Sequence, residues 1–458
     1  MQFSKRTDRR RRAITRAACA LAVAVVTSLL AARAARAEVI AFQDDRWTLS
    51  FEGRTAGFYS YETGDASPHY TASQIAANGG QVPTMTGSLI WTGYTATPNQ
   101  DPSMCSINGI ANGQPCTFAT SRVHSGFVGN IFGFTARRRI SPTLNALGRI
   151  ALWWPIETDQ YRGFSSMSPD PRESYVKLEG PWGGLLFGRT LGLHDRGGTL
   201  IDYLYADGYS IGSPCNATQQ GPLCGFIGYG YQFPGYNAGI LYNTPVLSGF
   251  QLTVGIYDPV RIGFQNVLLA ILPTPRVESE ATYTIDSGPI FFTLYVNGMW
   301  QQASGFVPDP ATSANVRKTV DAYGISGGGR LQIGGFKIGA GANYDIGGGD
   351  LSGLVGPVPI DDQGNLRRVT GAMGQAMYSV AGFDFSGGAG ITLVQQTASD
   401  VTDQNSVIKS RLGEQLSVNY HLDGNVVLNA QYFYAQHIFW RGQVQSLNDI
   451  HAGMTLTW

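Results

Sequence analysis

From Asn448 to Trp458 the chain places Ile450, Ala452, Met454, Leu456 and Trp458 on one face of an extended backbone. Asp449, His451, Gly453, Thr455 and Thr457 fall on the other. Side chains of a strand alternate with a period of two, so this stretch is a strand with one apolar and one polar face. It stops on an aromatic residue. The same alternation, in segments of about ten residues, runs back through most of the sequence. After residue 37 no apolar run reaches the roughly 20 residues that a spanning helix needs. Hydrophobicity spread this thinly suits a bilayer in one architecture, an antiparallel β-barrel. There every backbone polar group is paired around the ring, and only every second side chain meets lipid.

Composition agrees. The 458 residues include 59 Gly and 52 Tyr, Phe and Trp, with only 14% charged. Glycine and aromatics are what tight turns and interfacial girdles consume.

The N-terminus reads as a separate segment. Lys5, Arg6, Arg9, Arg10, Arg11, Arg12 and Arg16 precede an apolar run from Ala17 to Ala32, and Ala35-Arg36-Ala37 follows. A basic region, an apolar region and a small-residue site make a cleaved signal peptide over residues 1–37. The mature chain is expected to be a single barrel domain over residues 38–458. Cleavage removes nine basic residues and one Asp, leaving 23 basic against 31 acidic residues, a net charge of −8. That balance offers no basic patch to nucleic acid.

Of the five cysteines, Cys19 leaves with the signal segment. Cys105, Cys116, Cys215 and Cys224 remain as two close pairs in Gly-, Pro- and Asn-rich stretches. An exported chain with an even count implies disulfides. Three connectivities are open. Local pairing, 105–116 and 215–224, closes the shortest loops and is the expected one. The spacings do not suit zinc, and no histidine lies beside them.

Short turns are expected at Arg138–Pro142, Pro181–Gly184, Pro245–Gly249, Asp286–Pro289, Gly334–Gly335, Ala381–Gly382 and His421–Asn425. Seven hairpins, an opening strand at Trp47–Tyr61 and the closing strand make sixteen strands. Longer loops begin near Glu62, Thr158, Thr190, Asp258, Gln301, Ile346, Gln395 and Ile438. Short turns on one side and long loops on the other match outer-membrane barrels, with the turns periplasmic. Two places resist. Glu414 falls on the lipid face between Leu412 and Leu416. Ile262–Leu272 is apolar enough to be a strand pair, which would make eighteen.

Alternation sends Arg54, Arg149, Lys177, Lys409 and Arg411 to the lumen. Arg122 and Arg189 lie at strand ends. The alternative for each is an ordinary solvated residue. The six histidines sit in no H-E-x-x-H motif, and no G-x-S-x-G turn occurs, so neither an enzyme nor a cofactor is expected.

Several stretches resemble, in order, the trimeric general porins, especially the neisserial and burkholderial branch. Ser121-Arg122 is similar to that family's Ser-Arg-x-Gly strand entry. Ser174–Gly180 with Trp182-Gly183 and Leu186–Arg189 is similar to its Ala-Tyr-Val-Gly-Leu hairpin. Ile240–Pro245 through Ser248-Gly249-Phe250 is similar to its Arg-Tyr-Asp-Ser-Pro hairpin. The long first loop, Glu62 to Thr120, and the cysteine pairs depart from that pattern.

The resemblance implies a sixteen-stranded homotrimer in the bacterial outer membrane, surrounded by its lipid and lipopolysaccharide. It implies that Trp458 is read by the barrel-assembly machinery. It also implies that the third loop, from Thr190 to about Gly235, folds into the lumen. Asp195, Asp202 and Asp207 on that loop would then face the lumen cations across a constriction. The expected function is passive diffusion of ions and small hydrophilic solutes. A substrate-selective channel for sugars or carboxylates is the alternative. An aromatic track would favour sugars, with Trp153, Trp154, Trp300 and Tyr203 as its candidates.

Overall fold

The computed structural model describes residues 38–65, 110–111, 114–115, 117–126, 128–154, 156, 169–203, 225–264, 267–309, 312, 314–348, 359–402 and 407–458. The signal segment, the four cysteines, Asp207 and most of the first loop lie outside them.

Sixteen antiparallel strands form the wall. The first four are β1 (Trp47–Asp65), β2 in two segments (Thr117–His124 and Asn130–Ser141), β3 (Leu144–Trp154) and β4 (Asp170–Gly180). Next come β5 (Gly183–Leu191), β6 (Tyr236–Asn243), β7 (Phe250–Tyr257) and β8 (Arg276–Asp286). β9 (Ile290–Pro308), β10 (Asn315–Ile333), β11 (Phe336–Ile346) and β12 (Arg368–Val380) follow. β13 (Phe383–Gln395), β14 (Ile408–His421), β15 (Val426–Phe439) and β16 (Val444–Thr457) complete the set. Each strand pairs with its sequence neighbours. The ring closes where β16 meets β1, with Arg54 opposite Thr457 and Gly64 opposite Leu447. Closure leaves no edge to be satisfied by lipid.

Six of the seven short turns fall where the turn chemistry puts them; the first lies at Pro142-Thr143, because Arg138–Ser141 continue β2 and pair with the start of β3. Two-residue hairpins need positive φ, because the mirror-image turns match strand twist. At the β12–β13 turn Ala381 has φ 52° and Gly382 φ 81°. Ala381 adopts this conformation without a glycine's freedom.

Alternation is carried through on both faces. On β16 Ile450, Met454 and Leu456 are exposed outward, while Asp449 and His451 are buried inward. Aromatic rings gather at the turn end, where Phe383 and Tyr420 lie 4.6 Å apart between centroids. Glu414 does point outward, in register with Ala389 and Tyr434. The seam is finished by Trp458. Its N–H donates to Gly53 O at 3.0 Å, and its carbonyl accepts from Gly53 N at 2.8 Å. Its indole lies where a Cβ on residue 53 would stand.

Three features differ from the sequence reading. Val39–Gln43 forms an additional strand against the start of β1, with Val39 opposite Phe51. β9 and β10 run on as strands to Pro308 and from Asn315, past the loop expected from Gln301. Finally, Ile262–Phe264 and Val267–Leu269 do pair, but as a separate hairpin outside the wall. Ile262 and Leu269 bury against Ala303, Val307, Val320 and Ala322 on β9 and β10. The apolar content of this loop therefore serves to cover the strand extension. The wall stays at sixteen strands.

Candidate functional site

Between β5 and β6 the described residues leave the wall and pack inside the barrel. They include the short helix α1 (Arg196–Ile201) and a second stretch from Gly225 to Gly235. Glycines on the facing wall make room for it. A Cβ on Gly324 would run into His194, one on Gly341 into Ile201, and one on Gly413 into Tyr229. On Gly390 it would overlap the Tyr229 carbonyl oxygen. Each of these glycines occupies a lumen-facing register position, so the wall is flattened where the loop rests.

Hydrogen bonds then fix the loop. The N–H groups of Leu193 and His194 both donate to Glu278 Oε2, at 2.6 and 3.1 Å. His194 Nε2 lies 2.7 Å from Asp345 Oδ1, and Asn343 donates to the other oxygen at 2.5 Å. Asp195 N donates to Asn297 Oδ1 at 2.9 Å, and Gln232 N donates to the Asp195 carboxylate at 2.5 Å. Arg196 pairs with Glu280. Further along, Gly230 N donates to Thr392 Oγ1 at 3.0 Å, and the Tyr229 hydroxyl meets His437 Nε2 at 2.7 Å. Phe226, Ile227, Tyr229 and Tyr231 pack with Tyr295, Met373 and Phe433 of the wall. Burying each such side chain is worth roughly 1.5–3 kcal/mol, so packing and polar anchors together hold the segment in place.

Burial alone would push the His194 imidazole down. The Asp345 carboxylate outweighs it by charge and hydrogen bond, helped by Asp195 and Glu278, and raises His194 to about 9. The imidazole is therefore cationic at neutral pH. Burial pushes the Asp195 carboxyl up to about 7, against the pull of His194.

The lumen residues singled out by alternation separate into groups. Arg54 is buried on the inner face of β1. Arg122 stands in register with the buried Ser60. Arg149 donates to Glu173 Oε2 at 2.9 Å and to Thr135 Oγ1 at 3.1 Å, and also pairs with Glu52. Lys177 Nζ lies 2.6 Å from Glu179 Oε1. Arg411 is fully buried, its guanidinium carbon 4.7 Å from the Tyr229 ring centre.

Two cations stand elsewhere. Arg189 is in register with Ser174 and Ala238, both exposed, so it lies on the outward face, with Nη2 3.8 Å from Asp170. Strand-end position gave the sequence no parity to count from. Lys409 sits in a bulge between Ile408 and Ser410, exposed, with Nζ 5.2 Å from the Trp440 ring centre. A bulge adds one residue and breaks the alternation there.

The loop acids also differ from a constriction lining. Asp195 and Asp202 are 1% and 0% exposed. Asp202 accepts from Phe226 N at 3.0 Å, the Tyr231 hydroxyl at 3.1 Å and Gln375 Nε2 at 3.2 Å. Both carboxylates hold the loop together. The sequence missed the wall partners Glu278, Glu280, Asn297 and Asp345, although all four sit at lumen-facing positions. Of the aromatic candidates, Trp153 and Tyr203 are buried inside, whereas Trp154 and Trp300 are exposed on the outer wall, so these four form no track.

A protein-family model described as Gram-negative porin matches residues 20–453. No curated protein is significantly similar in sequence. Among solved structures, the outer membrane channel DcaP of Acinetobacter baumannii is similar at TM-score 0.59 and 12% identity, over 92% of this chain and 100% of that one. An anion-selective porin from Comamonas acidovorans is similar at 0.54 and 14%, over 90% and 100%. OmpF of Salmonella typhi, in complex with daunomycin, is similar at 0.52 and 10%, over 91% and 99%. At these identities the likeness is one of fold. The family match spans nearly the whole chain, and with a closed barrel whose third loop packs its described residues inside the wall it leads to one conclusion: the chain belongs to the Gram-negative porin family, outer-membrane channels for passive diffusion of small hydrophilic solutes.

Proposed function

We propose that this porin is a general-diffusion channel that works as a homotrimer, with its aperture between the inward loop and the wall of β1–β4. The observation that carries this is the hydrogen-bonded docking of the described loop residues on β8–β15, through Glu278, Asn297, Asp345, Thr392 and His437. The opposite wall carries Arg54, Arg122, Arg149 and Lys177 on four consecutive strands. Solutes pass between a packed loop and a basic wall whose charge is tempered by Glu52, Glu173 and Glu179. The local field then orients polar solutes and disfavours apolar ones. The trimer, and recognition of the terminal strand by assembly machinery, rest on the family resemblance. Planar-bilayer recording of the purified protein is the test. Stepwise conductance, in groups of three, is expected. Folded, heat-modifiable protein that gives no conductance overturns the proposal.

A further inference from the structure

Three side chains around one cleft present buried N–H groups that no described residue accepts. The cleft, about 360 Å³ with its solvent-filled mouth, lies between the root of the inward loop and strands β8 and β9. His194, Gln232, Phe233, Arg276, Glu278 and Met299 are among the residues that line it. Arg276 Nη2, His194 Nδ1 and Gln232 Nε2 have no hydrogen-bond partner among the described residues. Their residues are 3%, 6% and 3% exposed. The unpartnered atoms of the lining residues are all nitrogens; no lining oxygen is left wanting.

Each donor is already held by its other contacts. Arg276 Nε lies 2.8 Å from Glu278 Oε1, and its guanidinium carbon lies 5.5 Å from the Tyr257 ring centre. His194 is held through Nε2 by Asp345. Gln232 is fixed by its backbone N–H, which leaves its amide free to serve the cleft. Unmade bonds from buried donors are costly, more so from charged ones. An oxygen acceptor in the cleft recovers that cost, and an anionic oxygen recovers the most.

We propose that this cleft is a transit site for small carboxylates, which Arg276, His194 and Gln232 bind by their oxygens while Phe233, Pro234 and Met299 receive a short apolar body. The proposal rests on the porin reading, since the cleft opens within a channel. Arg276 and His194 are offset there by Glu278 and by the adjoining carboxylates Asp345 and Asp195. The site therefore offers directed donors without a surplus of positive charge. That suits a channel, where binding must be weak enough to release.

Chloride conductance through the full channel, titrated with butyrate and separately with butyramide, tests the site. Butyrate should reduce the current saturably, and butyramide should not. Arg276→Gln should raise the half-saturating concentration about tenfold or more, the worth of one charge-assisted bond. Gln232→Met, which leaves the loop's backbone anchor in place, should raise it several-fold and keeps the test open if the first variant misfolds. Equal effects of the two solutes, or a butyrate effect that neither folded variant alters, overturns the proposal. Line broadening of carboxyl-labelled butyrate in the presence of the detergent-folded protein reads the site without conduction. An absence of all conductance with butyrate still bound sinks the channel reading and spares the site. Conductance with no butyrate binding does the reverse.

Discussion

At the scale of single residues, the inner wall is shaped as much by absent side chains as by present ones. Gly390 and Gly413 lie under the Tyr229 backbone and ring. Replacing Gly390 with valine should lift the loop from the wall while leaving the strands paired. Single-channel conductance is expected to change and open-channel noise to rise, with an unchanged heat-modifiability shift on gels. Arg149 makes the opposite case, a side chain whose removal uncovers others. Arg149→Gln leaves Glu52 and Glu173 facing the lumen without their cation. The reversal potential in a salt gradient should move toward cation preference; an unmoved potential would place Arg149 away from the ion path. Alternation made Arg54 and Arg149 legible as inward residues. It could not reveal what they touch, since partners on other strands are set by register. Lys409 shows the limit, because one bulge residue upsets a period of two.

At the scale of elements, the anchor of the inward loop should respond to pH. The folded loop holds the His194 proton up to about 9, against 6.5 for a free imidazole. Its contribution is complete below 6.5 and is lost as pH rises through about 9. Asp195, raised by burial to about 7 from 3.8, acts in the same direction at lower pH. Conductance and its noise should be steady below about pH 4, increase as Asp195 ionises toward pH 7, and increase again toward and above pH 9. The Asp345→Asn channel should lack the alkaline part of that change. The seam has its own prediction. Gly53→Leu would drive a side chain into the Trp458 indole, and overpacking of this kind typically costs about 1–3 kcal/mol. The denaturant midpoint of the folded barrel should fall accordingly. Strand positions were legible because turns carry Gly, Pro and Asn signals. The ends of β9 and β10 were not, because polar residues such as Gln301 and Ser304 read as loop. Here they pair instead with a second loop, Gln301 Nε2 with Val260 O at 2.5 Å and Ser304 N with Ile271 O at 2.8 Å.

At the scale of the whole molecule, the barrel was legible where the candidate site was only partly so. A strand count needs only local patterns. The site depends on a loop meeting a wall some eighty to two hundred residues away in sequence, as in Leu193 with Glu278 and Tyr229 with His437. One measurement addresses the ends and cysteines together. Intact mass of protein from the outer membrane should match a chain starting at Glu38. Alkylation without reduction should add nothing, and reduction first should allow four additions.

The junction between β1 and β16 also fixes an order in time. Every other junction of the wall joins strands consecutive in the chain, so each can form as its second strand arrives. This one brings residues 54–64 against 447–457. Until the last strand is delivered, the growing sheet has two bare margins and no inside. Those margins meet only when the C-terminal strand is in place, so a chain truncated before Val444 is expected to fail to close.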